Sequence, residues 1–208
     1  MQFDLGIHKL AWLSAAALSA SAQAAVVWDE AVNGDLSNSG LTPTVVALSP
    51  GFNDVRGTTG RVVAGGTVDR DYFTIDVPAG YFLNSITLLP GSSGLGPLGT
   101  SFLGLQAGPQ VTVSTSATTA SGLLGWRHYG AADVGMDLLP LMAVPNNGSS
   151  GFSVPLAAGS YSFWVQETGV GSAPYGFGLE VSAVPEPTSA WMLGLGIAAL
   201  IGWRRWQP

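Results

Sequence analysis

Cysteine is absent from the 208 residues, which removes disulfides, thiolate metal sites and cysteine nucleophiles together. No lysine occurs after Lys9. Charge of either sign is scarce, at 10% of the chain against roughly 25% in an ordinary soluble domain. The surface must therefore be polar through Ser, Thr, Asn and backbone groups. From Val26 to Val184 the cations are Arg56, Arg61, Arg70 and Arg127, facing eleven acids for a net charge of −7. Nucleic acid is held by clustered cations that displace counterions from phosphates, so this balance excludes it as a partner. Histidine is nearly missing too: beyond His8 there is only His128, in Trp126-Arg127-His128-Tyr129. A Ser-His-Asp arrangement would need it, yet no G-x-S-x-G elbow accompanies it. The composition therefore favours a protein that is not an enzyme.

What the chain has in quantity is turn formers, 29 Gly and 13 Pro. They cut the middle into short runs rich in aromatic and β-branched residues. Tyr72 to Val77 opens on an aromatic pair and then alternates polar with apolar. Pro78-Ala79-Gly80 turns the chain, and Tyr81 to Leu89 resumes it. Further strands are expected at Phe102–Leu105, Val111–Val113, Leu123–Tyr129, Asp137–Met142, Tyr161–Val165 and Tyr175–Val181. No sustained helical period interrupts them. This spacing predicts an all-β fold, an antiparallel β-sandwich or jelly roll over residues 25–184. About 160 residues suffice for a core without disulfides, burying roughly 70% of the unfolded surface.

The two ends differ from the body. At the front, Lys9 precedes an apolar run from Leu10 to Leu18, and Ala22-Gln23-Ala24 forms a small-x-small cleavage site ahead of Ala25. These are the parts of a signal peptide spanning residues 1–24. At the back, Pro185-Glu186-Pro187 is followed by an apolar run from Thr188 to Trp203 and then Arg204-Arg205. As a helix of about 24 Å the run is a marginal membrane span against a ~30 Å hydrocarbon core. Arg204 and Arg205 act as a membrane stop held on the cytoplasmic side, leaving the body outside. Gly194, Ala198 and Gly202 recur every fourth residue on this helix, a ridge where another helix can approach.

Pro185-Glu186-Pro187, the short apolar helix and the terminal arginine pair, in that order, resemble the PEP-CTERM sorting signal. The resemblance covers roughly the last 25 residues. It implies that an exosortase-type membrane protease recognises the Pro-Glu-Pro segment and releases the tail. The inner membrane is then a transient anchor, and the destination is the periplasm, cell surface or extracellular matrix of a Gram-negative bacterium that makes exopolysaccharide. The body, from DRDYFTIDVPAGYFLNSITL through PLAAGSYSFWVQETG to YGFGLEVS, resembles bacterial pre-peptidase C-terminal domains, small β-sandwich modules found beside secreted hydrolases.

Three further motifs bear on chemistry. Gly94 to Gly99 matches G-x-G-x-x-G literally, but Pro97 and the residues after it open no helix, as a dinucleotide loop must; it reads as a glycine-rich turn. Asp69 and Asp71 flank Arg70, and two carboxylates two residues apart lie on one side of an extended chain. One reading is a solvated turn with Arg70 damping the repulsion. The other is a Ca²⁺ site of hard oxygen ligands, with Glu30, Asn33 and Asp35 as companions; the pre-peptidase resemblance implies such early acids in some members. Finally, Trp126, Tyr129, Tyr161, Trp164 and Tyr175 would stack on sugars if several shared an exposed face, although Tyr161 and Trp164 fall on opposite faces of a strand. The expected function is a non-catalytic surface or matrix protein. The alternatives are a carbohydrate-binding module holding exopolysaccharide and, third, a hydrolase accessory domain or enzyme.

Overall fold

The computed structural model describes residues 24–95 and 101–184. Nine strands frame this body: β1 (Ala25–Asp29), β2 (Thr44–Val45), β3 (Gly51–Arg61), β4 (Arg70–Val77), β5 (Tyr81–Leu88), β6 (Ser101–Ala107), β7 (Gly125–Tyr129), β8 (Gly159–Gln166) and β9 (Gly171–Ala183). Two short helices, α1 (Glu30–Asn33) and α2 (Leu139–Ala143), and a 3₁₀ turn at Ala131–Asp133 complete it. The strands form two sheets, ordered β1-β3-β9-β5 and β2-β4-β8-β6-β7.

The sheets are mixed and not purely antiparallel. The ladders β3–β9, β5–β9, β4–β8, β6–β8 and β6–β7 are antiparallel, whereas the short edge strands β1 and β2 lie parallel to β3 and β4. Short edges of this kind limit the unpaired backbone offered to another chain.

Strand alternation builds the core. Phe73, Ile75 and Val77 of β4, with Phe163 and Val165 of β8 and Leu103 and Leu105 of β6, meet Val55, Leu83, Ile86, Leu88, Phe177, Leu179 and Val181 of the first sheet in one buried cluster. Phe73 and Phe163 stack at 4.7 Å between ring centres. On β5 the inward residues Leu83 and Ile86 are three apart, and the register shift between Leu83 and Ser85 restores the parity.

Most expected strands are present, and two are not. Val111–Val113 forms no strand; Val111 instead packs on Tyr72 and Trp164 while its N–H donates to Gly40 O at 2.7 Å. Within Asp137–Met142 the chain turns into α2 at Leu139 instead: Asp137 Oδ1 accepts from Leu139 N at 3.0 Å and from Ile86 N at 2.9 Å, holding the helix start against β5. Leu139 and Met142 then fill the core. The signal peptide, apart from Ala24, the Gly96–Gly99 part of the glycine-rich turn and the tail from Pro185 lie outside the described residues. Among the described residues no helix is long and apolar enough to cross a membrane.

Candidate functional site

The inward face of β4 carries Phe73, Ile75 and Val77, and the same parity sends Asp71 inward as well. Its exposure is 0%. A carboxylate here needs donors, since burying charge without partners is costly. Asp71 has one: Tyr175 Oη donates to Oδ2 at 2.7 Å, from β9 in the facing sheet. Oδ1 has none.

A second acid arrives through the edge strand. The parallel register sets Asp29 beside Arg56, so the chain leaves β1 next to Gly57 and Thr58. The Asp29 side chain accepts from Ala31 N at 3.0 Å and starts α1. Glu30 then turns onto β3, where Oε2 accepts from Thr58 N at 2.8 Å, while Oε1 accepts from Leu36 N at 3.1 Å. The second bond curls the loop so that Asp35 returns to the same spot. One carboxylate oxygen each from Glu30, Asp35 and Asp71 lies within 4.8 Å of the others.

Crowding shows in the acidities. Burial first, then the Glu30 charge, pushes the Asp71 pKa up to about 9, against the Tyr175 hydrogen bond that lowers it. Burial likewise raises Glu30, opposed by the Leu36 and Thr58 amides, with Asp35 and Asp69 adding to the rise. Burial, and then its neighbour Asp71, drives the Tyr175 phenol well above its ordinary value.

Of the acids singled out in the sequence, the structure brings Asp71, Glu30 and Asp35 together. Asp69 stands outside the trio and accepts from Asn38 Nδ2 at 3.1 Å. Asn33 is also turned away, its Oδ1 accepting from Asp29 N at 2.9 Å. Arg70 does not damp the cluster; its guanidinium donates to Gln166 Oε1 at 2.6 Å and to Val68 O. Arg56 pairs with Asp54 at 2.8 Å. Asp133 and Asp137 hold backbone: Asp133 Oδ2 accepts from Gly130 N at 2.9 Å, and Asp137 Oδ1 accepts from Leu139 N at the start of α2.

The aromatic residues divide between two places. Tyr129, Tyr161 and Tyr175 are in the core, so they make no sugar platform. Trp126 and Trp164 lie on the outer face of the second sheet, joined by Phe102, which sequence reasoning left out. Phe102 meets Trp164 edge-on at 4.9 Å and stacks on Trp126 at 5.9 Å. The loop from Val113 to Ala120 and Asn147 wall a groove over these rings. His128 stands exposed at its rim, with Nδ1 3.2 Å from Ser101 O and its ring edge-on to Trp126.

Comparison with known proteins identifies the PEP-CTERM protein-sorting motif over residues 183–205. Pro185, Glu186, Pro187, Arg204 and Arg205 all fall within it, and the body precedes it. No curated protein and no solved structure matches the chain. The motif marks a secreted surface protein that is anchored transiently and recognised by an exosortase membrane protein. The body is a β-rich domain, and no match to pre-peptidase C-terminal domains is shown for it.

Proposed function

We propose that this chain, carrying an exosortase-recognised sorting tail, is a non-catalytic β-sandwich delivered to the cell surface or extracellular matrix of a Gram-negative, exopolysaccharide-forming bacterium. The observation that carries the reading is where the folded body stops. β9 ends at Ala183, Val184 N makes a last hydrogen bond to Gly80 O at 2.7 Å, and the sorting motif runs on from Ala183. Every described strand ends before Pro185, so removal of the tail costs the body none of them. The front is arranged alike: Ala24 and Ala25 are exposed, and β1 begins at Ala25. Signal removal after Ala24 would leave that strand whole. A non-catalytic role is supported by the contacts of His128, which touches a carbonyl and two aromatic rings instead of a carboxylate.

Replacing Pro185-Glu186-Pro187 by three alanines tests the sorting claim. The apolar run and Arg204-Arg205 stay intact, so anchoring persists. The expected result is uncleaved protein accumulating in the inner membrane, seen by intact mass as retention of the tail. Normal release in a host with an active exosortase would sink the claim.

One observation favours carbohydrate binding as a second reading. The groove over Phe102, Trp126 and Trp164 sets aromatic rings beside Ser114, Thr118, Thr119 and Asn147, neutral hydrogen-bonding groups suited to an uncharged sugar. Glycan-array binding that disappears in Trp126→Ala would support it; a blank array for the parent protein would remove it.

A further inference from the structure

β7 is the edge strand of the second sheet, and its side chains reach two hollows. Trp126 and His128 line the aromatic groove already described. Both also line a second cleft, together with Arg127 between them and with Leu141, Val144 and Pro145 from α2 and the chain after it. The two hollows thus share a rim. The cleft holds about 500 Å³, within the roughly 300–1,000 Å³ of ordinary ligand sites.

The charge at this rim runs against that of the molecule. The body has eleven acids to four arginines, yet no acid lines either hollow. Arg56 is paired with Asp54, Arg70 donates to Gln166, and Arg61 shares its cleft with Asp69. Arg127 forms no ion pair among the described residues, and its buried Nε has no acceptor. A buried donor left unanswered costs free energy. A guanidinium is shaped to recover that cost by taking a carboxylate through two parallel N–H bonds. In the wall of the aromatic groove, Trp164 Nε1 is likewise buried without an acceptor. His128 adds a third polar group. Ser101 O can only accept, so Nδ1 carries the proton and Nε2 is left as an acceptor for a hydroxyl.

We propose that the two hollows form one site for an acidic polysaccharide, with a sugar ring in the aromatic groove and the carboxylate of the adjoining uronic-acid unit on Arg127. This rests on the carbohydrate reading of the groove and adds to it the charge of the ligand. Arg127 has no lysine or second arginine beside it in the cleft. One cation matches the single charge of a carboxylate better than a phosphate dianion. The two hollows then divide the work. Ring stacking serves neutral and acidic sugars alike, while Arg127 selects the acid. The net charge of −7 on the body repels polyanions as a whole, so an acidic polymer is held only where Arg127 meets it directly.

The test uses the full chain in mild detergent at about 0.15 M salt, where charges more than ~8 Å apart are largely screened. The probes are hyaluronan, in which a uronate alternates with a neutral sugar, polygalacturonate, and each polymer with its carboxyl groups reduced to alcohols. At least one acidic polymer should bind about tenfold or more tighter than its reduced form, as a hydrogen bond to a charged group implies. Arg127→Gln should bring that polymer down to the level of its reduced form. Arg61→Gln removes the same charge elsewhere and should keep the preference. Trp126→Ala should weaken acidic and reduced forms alike. If Arg127→Gln does not fold, Arg127→Lys serves: it keeps the charge without the fork and should lose most of the preference. The inference alone is overturned if acidic and reduced forms bind equally, if the preference survives Arg127→Gln, or if it falls with Arg61→Gln. Dextran sulfate bound as tightly as the polyuronates would overturn the carboxylate assignment. Binding to none of the polymers would overturn the carbohydrate reading together with the inference.

Discussion

The two sheets share a core but treat their outer faces differently. In the second sheet Tyr72 of β4 and Trp164 of β8 are buried on the outside as well, under Val111, Ala120 and Leu123 from the long connection between β6 and β7. It is a sheet covered on both sides. The first sheet shows Phe52, Arg56 and Thr58 of β3 to water, and its outer face is polar. A strand packed on both faces reads as a nearly continuous apolar run, while one packed on a single face alternates. That difference decided which strands were legible. β4 and β8 were found from their aromatic runs. β3 (GFNDVRGTTGR) was not, because its inward positions include Asn53, Gly57 and Thr59. Its core function is partly polar: Asn53 Nδ2 donates to Ser49 O and Leu179 O, while Oδ1 accepts from Ser49 N.

Three substitutions probe this contrast by urea unfolding. The largest effect should come from the layer both sheets share. Phe163→Ala removes a ring that is 1% exposed and stacked on Phe73, and about 4 kcal/mol should be lost. A loss under about 1 kcal/mol would mean that this ring does not fill the layer between the sheets. The outer layer should respond less. Trp126→Ala breaks the stack on Phe102 and the Nε1 donation to Asn146 O at 3.1 Å, worth about 2 kcal/mol together. A cost equal to that of Phe163→Ala would make the outer cluster a second full core. Smallest should be Phe52→Ser on the open face of the first sheet, where the ring is 42% exposed. A change beyond about 0.5 kcal/mol would show that this face is covered in solution.

The same contrast explains the fate of the candidate sites. Aromatic residues in a strand were readable as residues, but their faces were not. Trp164 and Tyr161 parted as alternation requires, and Tyr129 and Tyr175 went inward, leaving Phe102 to join the two tryptophans. For the acids, proximity in sequence misled. Asp69 and Asp71 are near in the chain, yet Asp69 turns to Asn38 while Asp71 meets Glu30 and Asp35.

The sequence alone determined what depends on order and composition along the chain: an acidic body poor in cations, the strands around Tyr72, Tyr161 and Tyr175, and the sorting tail matched at 183–205. Those signals are local, carried by neighbours a few residues apart. The acidic seam was decided by tertiary structure. It exists because β1 pairs in parallel with β3, which lays Glu30 against Thr58, and because β4 and β9 face each other across the core, which brings Asp71 to Tyr175. Pairing register and sheet facing are long-range choices, made by the packing of the whole apolar layer, and no local pattern encodes them.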